Sequence, residues 1–195
     1  MNRYRCTILV YDNDMNLMPR ETWSLIHGLV FGGLFLLAYS GGLVGFWSLR
    51  AGHFTGDGAR SQARQIGLWT TAMAIVAWAA VILGAYVVYP WYRAHPPMPT
   101  RFLHYWPVTG FPQATLMADP AKAGWHNFGM EWKEHVAWFA PLLATCVAFI
   151  VGRSREGLAN DPLLRRFCIT LFTLAFLAAT AAGLFGALIT KAAPV

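Results

Sequence analysis

Apolar positions along this chain gather into four long stretches that contain no Asp, Glu, Lys or Arg. They run between Glu21 and Arg50, Arg64 and Arg93, Glu134 and Arg153, and Arg166 and Lys191. Crossing the hydrocarbon of a bilayer takes about 20 mostly apolar residues in a helix. Each stretch is therefore read as a transmembrane helix, near 23–49, 66–89, 131–152 and 167–190. The expected fold class is an all-α integral membrane protein: one domain, a four-transmembrane-helix bundle with a long ordered extracytoplasmic loop between helices 2 and 3.

Four spans bring both ends of the chain to one side, side A, which also receives the connection 90–130. Side B receives two short loops, 50–65 and 153–166. These hold seven arginines (50, 60, 64, 153, 155, 165 and 166) against Asp57, Glu156 and Asp161. Lys and Arg in short loops resist translocation, so side B is expected to be cytoplasmic and side A extracytoplasmic, in a bacterial-type plasma membrane. The first apolar stretch lacks a small-residue cleavage site at its end and is expected to remain in the mature chain.

Composition agrees. Of 195 residues, 56% are hydrophobic and 12% charged, with a mean hydropathy of +0.42, outside the balance of a soluble domain. The formal charge of +6 follows from the topology-setting arginines, and no basic stripe with interleaved aromatics suggests nucleic acid. The expected partners are lipid and other membrane subunits of a larger complex. Cys6, Cys146 and Cys168 are too scattered for a disulfide framework or a c-type haem attachment site.

Trp23, Trp47, Trp69, Trp91, Tyr92, Trp132 and Trp138 fall near span ends and are expected to form interfacial belts. Gly28, Gly32 and Gly33, then Gly41, Gly42 and Gly45, give the first span small faces containing two GxxxG spacings. Such faces let helix backbones approach closely, within the bundle or against a neighbouring subunit. The segment PWYRAHPPMPTRFLHYWPVTGFP is too aromatic for a disordered tail. An ordered cap over 90–130 is expected, with a helical turn near 114–119.

The candidate chemistry lies in how histidines and carboxylates fall relative to the spans. His27 lies about a turn inside the first span and His135 at the start of the third, at similar depth near side A. Two neutral imidazoles at one depth in a bundle could ligate a haem b from opposite faces. In span number and histidine placement the chain resembles small four-helix b-type cytochromes and the membrane anchors of respiratory complexes. That resemblance implies an electron-transfer subunit of an oxidoreductase complex, respiratory or photosynthetic, working with a quinone pool.

Other readings use the same end. Glu131, Glu134 and His135 share a helical face and, with His126 or His27, could form a non-haem metal site, although the paired Glu-x-x-His of a dinuclear carboxylate bundle is missing. A quinone or proton-exchange site would draw on His27, Glu134, Tyr86 and Tyr89. Against these stands a non-catalytic structural or assembly subunit of a larger membrane complex. Glu131, Lys133 and Glu134 are otherwise expected to be a solvated helix start favoured by the helix dipole, and no span is expected to bury a Lys, Arg or Asp. His53, His95 and His104 read as loop residues. No P-loop, GxSxG, HExxH or EF-hand motif occurs.

Overall fold

The computed structural model describes residues 19–50, 56–95 and 110–193. Cys6, His53, His104 and the cap segment 96–109 lie outside them. Among the described residues the chain is all-helical, and four helices are long and apolar enough to cross a membrane: α1 (Glu21–Leu49), α2 (Gly56–Tyr92), α4 (Trp125–Arg153) and α6 (Pro162–Ala192). Two short helices join them, α3 (Pro112–Ala118) ahead of α4 and α5 (Arg155–Asn160) between α4 and α6. Each long helix packs on its neighbour in sequence, and α6 returns to touch α1, which closes an up-down-up-down bundle.

The helices are longer than the apolar stretches that announce them. α2 begins at Gly56 rather than near residue 66 and ends at Tyr92; α4 begins at Trp125 rather than 131; α6 begins at Pro162 rather than 167. Charged residues such as Arg60 and Arg64 limit the apolar stretch but are good helix formers, so the helix carries on past the last apolar turn. For α6 the start is fixed locally. Asp161 Oδ1 accepts from the backbone N–H groups of Leu163 (2.8 Å) and Leu164 (3.2 Å), and Pro162 fills the first turn. Arg165 Nη1 then donates to the Leu158 and Ala159 carbonyls at the end of α5, at 3.0 and 2.9 Å.

Buried apolar side chains form two separate cores. The larger fills the B half, where Phe46, Ile66, Met73, Val147, Val151 and Phe172 are all fully buried. Glycines of α1 allow that closeness. A Cβ on Gly41 would stand 2.6 Å from the Trp69 ring, one on Gly42 2.6 Å from Phe172, and one on Gly45 2.7 Å from Ile66. The second GxxxG pair is thus used inside the bundle. Among the described residues a Cβ on Gly28, Gly32 or Gly33 would meet nothing within 4 Å, and the first pair is exposed.

The smaller core lies at the A end and joins Tyr92, Leu116, Met130, Ile189 and Ala193. Two expected belt residues belong to packing instead: Trp69 covers Gly41, and Tyr92 is 6% exposed. Trp23, Trp47, Trp132 and Trp138 do remain exposed. The helix α3 covers most of the expected turn near 114–119.

Three long helices widen into π turns at the A end: Ile26–Val30 in α1, Gly84–Val88 in α2 and Trp125–Met130 in α4. The second precedes Pro90, which has no N–H to return to the helix. Pro141 likewise follows the break in α4 at Ala137 and Trp138.

Candidate functional site at the A end

Between the two cores lie polar side chains, and the π turns of α1 and α2 bring His27 and Gly84 together there. Single π turns within α-helices recur at functional sites, because they aim side chains that a regular helix would place elsewhere.

His27 occupies the π turn of α1 and turns inward. Its ring lies on Gly84 of α2, where a Cβ would stand 2.8 Å from Cε1 and 3.3 Å from Nε2. The Ala80 carbonyl and the Lys133 ammonium are its polar surroundings, yet buried Nδ1 makes no hydrogen bond among the described residues.

Glu134 of α4 faces the hydroxyl of Tyr89 on α2. That hydroxyl accepts a hydrogen bond from Arg93 Nη1 at 2.9 Å, which leaves its own proton for the carboxylate. The guanidinium also lies 5.6 Å from the centre of the Tyr89 ring. Arg93 is fully exposed, and the Tyr89 hydroxyl raises its pKa further above its ordinary value. Glu134 Oε1 is buried without a hydrogen bond among the described residues. Three buried side-chain atoms among the described residues are orphaned, Glu134 Oε1, His27 Nδ1 and Gln113 Oε1, and buried orphans of this kind call for a partner.

Tyr92 and His126 lock the second core. Tyr92 Oη and His126 Nδ1 are 2.9 Å apart, and Gln113 Nε2 donates to His126 Nε2 at 3.1 Å. With Nε2 accepting, the neutral imidazole carries its proton on Nδ1 and donates to the phenol oxygen. Both ring nitrogens are thus engaged in tying α3 to α2 and α4.

Lys133 corrects the reading of residues 131–134 as a solvated helix start. Because α4 begins at Trp125, Lys133 is already two turns along it. Its ammonium is largely shielded from water and lies along α6, where a Cβ on Gly186 would be 3.2 Å from Nζ. The missing side chain at Gly186 makes the room. Neighbouring residues of α4 turn elsewhere: Trp132 packs on Phe185 of α6 at 5.1 Å, and Glu134 turns to α2.

The structure does not bring His27 and His135 face to face. His135 is exposed, with Nδ1 donating to the Glu131 carbonyl at 2.6 Å, and at about 100° per residue it stands some 200° round α4 from Lys133. It therefore points out of the bundle while His27 points in. Glu131 is exposed, Tyr86 is 74% exposed and turned away from the Tyr89–Glu134 pair, and His95 is exposed. Among the described residues no group of three or more His, Cys, Asp or Glu side chains converges as a metal site. Glu131, Glu134, His126 and His135 thus stay apart, and both nitrogens of His126 are taken.

Sequence reasoning missed Lys133, Gly84 and Gly186. The two glycines matter only because of what lies opposite them, and no pattern along the chain records that. Comparison with protein families, with curated proteins and with solved structures finds no match to this chain.

Proposed function

We propose that this chain is an integral membrane subunit of a larger redox assembly, and that its A end offers a proton-exchanging site for a quinol-type ligand. Ionisable side chains inside membrane-spanning helices are costly and are retained where they act on a ligand or a proton. The observation that carries this reading is the pair of orphaned acceptors, Glu134 Oε1 and His27 Nδ1, beside a Tyr89 hydroxyl polarised by Arg93. A quinol presents two hydroxyl donors, and its oxidation requires groups that take up their protons. The protein would supply acceptors and a shielded slot, while electrons pass to a redox partner outside this chain. The arginines of the two B-end loops support a cytoplasmic B end and an outward-facing A end.

The test is binding of a short-chain quinol, kept reduced under anaerobic conditions, to the detergent-purified chain, read by quenching of tryptophan fluorescence. Glu134→Gln and His27→Ala are each expected to weaken binding roughly ten-fold, with Tyr86→Phe unchanged. Equal affinity in all four proteins would refute the proposal.

A second reading, the non-catalytic assembly subunit, is favoured by one observation: the Gly28–Gly32 pair packs against nothing among the described residues. A small-residue face on a membrane helix suits close approach by a partner subunit's helix. Gly32→Leu would then abolish co-migration with the native assembly on a non-denaturing gel while leaving quinol binding intact.

A further inference from the structure

A cavity of about 60 Å³ lies in the mouth of the bundle at the A end, where all four long helices and α3 meet. Its polar lining is Ser24 of α1, Tyr92 of α2, Lys133 of α4 and Thr190 of α6; Met130 and Ile189 are among its apolar walls. Thr190 Oγ1 already donates to the Gly186 carbonyl at 3.0 Å and keeps only lone pairs for the cavity. The Tyr92 hydroxyl accepts from His126 Nδ1 and keeps its own proton. The free donors are the Lys133 ammonium and the hydroxyls of Ser24 and Tyr92.

No hydrogen bond or ion pair closes on Lys133 Nζ among the described residues. Its nearest acid, Glu134, turns to Tyr89 on the other side of α4. An ammonium held among apolar walls without a counter-ion is expensive, and the low local dielectric that makes it so also strengthens its attraction for an anion. The volume narrows the class of ligand. It suits a few waters or one tetrahedral oxyanion and is far below the roughly 300 Å³ of a pocket for a ring-bearing small molecule. The quinol-type ligand therefore belongs with Glu134 and His27, neither of which lines the cavity.

We infer that this cavity is a binding site for a phosphate group, held by the Lys133 ammonium and the Ser24 hydroxyl at the mouth of the bundle. The group comes from an anionic phospholipid headgroup or from free phosphate. The site uses different side chains from the quinol reading and a different face of α4 from Glu134, with Lys133 lying between the cavity and His27.

The experiment uses the full chain, purified in a mild detergent and stripped of lipid. Thermal stabilisation is measured with inorganic phosphate and, separately, after reconstitution into phosphatidylcholine vesicles with and without phosphatidylglycerol. The wild-type chain is expected to be stabilised by one of the two additions. Stabilisation by phosphatidylglycerol alone assigns a lipid headgroup, and stabilisation by inorganic phosphate assigns the free anion. Lys133→Met is expected to lose the effect and Lys133→Arg to keep it.

Where Lys133→Met does not fold, Gly186→Ala serves instead. It keeps the charge but places a Cβ 3.2 Å from Nζ, and it is expected to weaken binding roughly ten-fold. Glu134→Gln should leave phosphate binding unchanged, which separates failure here from failure of the quinol site. No stabilisation of the wild-type chain by either addition, or equal stabilisation of the wild type and whichever of these two variants folds, overturns the inference.

Discussion

The contact between His27 and Gly84 gives the sharpest test of how the A end is built. In Gly84→Ala the new Cβ would stand 2.8 Å from His27 Cε1, whereas carbon atoms rest at about 3.5–4.0 Å. The imidazole must retreat by roughly 1 Å, or α1 and α2 must separate. Overpacking of this kind costs about 1–3 kcal/mol, and replacing glycine inside a helix returns up to about 1 kcal/mol. The single variant should therefore be destabilised by about 0–2 kcal/mol. With His27→Ala in the background the obstacle is gone, and Gly84→Ala should become stabilising by up to about 1 kcal/mol. The two substitutions are thus coupled by about 1–3 kcal/mol. Titration of the chain from mild detergent into dodecyl sulfate, followed by tryptophan fluorescence, measures all four corners of the cycle. A coupling below about 0.5 kcal/mol would mean that His27 does not rest on Gly84, and the inward placement of the imidazole would be refuted.

Three further outcomes are expected. Gly42→Ala, whose Cβ would meet Phe172 at 2.6 Å, should lower the unfolding midpoint in the same titration, while Gly32→Ala, which meets nothing, should leave it unchanged or raise it. Asp161→Ala removes the acceptor for two backbone N–H groups at the start of α6 and should cost about 0.5–2 kcal/mol of stability. A dithionite-reduced minus oxidised spectrum of the purified chain should show no b-type alpha band, because His135 and His27 point in different directions; a band lost in both His27→Ala and His135→Ala would overturn that geometry.

The four long helices were legible because hydrocarbon excludes charge, so stretches free of Asp, Glu, Lys and Arg mark them directly. Their ends were not, since charge limits the apolar stretch and not the helix: Arg60 and Arg64 lie well inside α2. One end did carry a readable signal, the Asp161–Pro162 pair, in which a capping carboxylate precedes a proline suited to the first turn. At the A end the sequence pointed to His27, Glu134, Tyr89 and His126, but not to their directions. Similar depth suggested that His27 and His135 oppose one another, and depth says nothing about which way a side chain turns. Lys133 looked like a surface residue because it sits between two acids. Its true neighbour is a glycine more than fifty positions later, and an absent side chain leaves no trace in hydrophobic periodicity. Tyr92 looked interfacial for a similar reason, with its partner His126 supplied by a later segment.

The π turns of α1 and α2 carry a consequence for how this bundle can change. A π turn holds about one residue more than the α turn it replaces, so it swings whatever follows it by about 100° relative to the helix before it. In α1 and α2 the turn lies between the B-half core and the A end, whereas in α4 it is the first turn of the helix. The azimuth of the A-end side chains is therefore set apart from that of the core on α1 and α2. Loss or gain of one residue in such a turn would re-aim the mouth of the bundle and leave Phe46, Met73 and Val147 in register, so this end can be reshaped while the other keeps the chain folded.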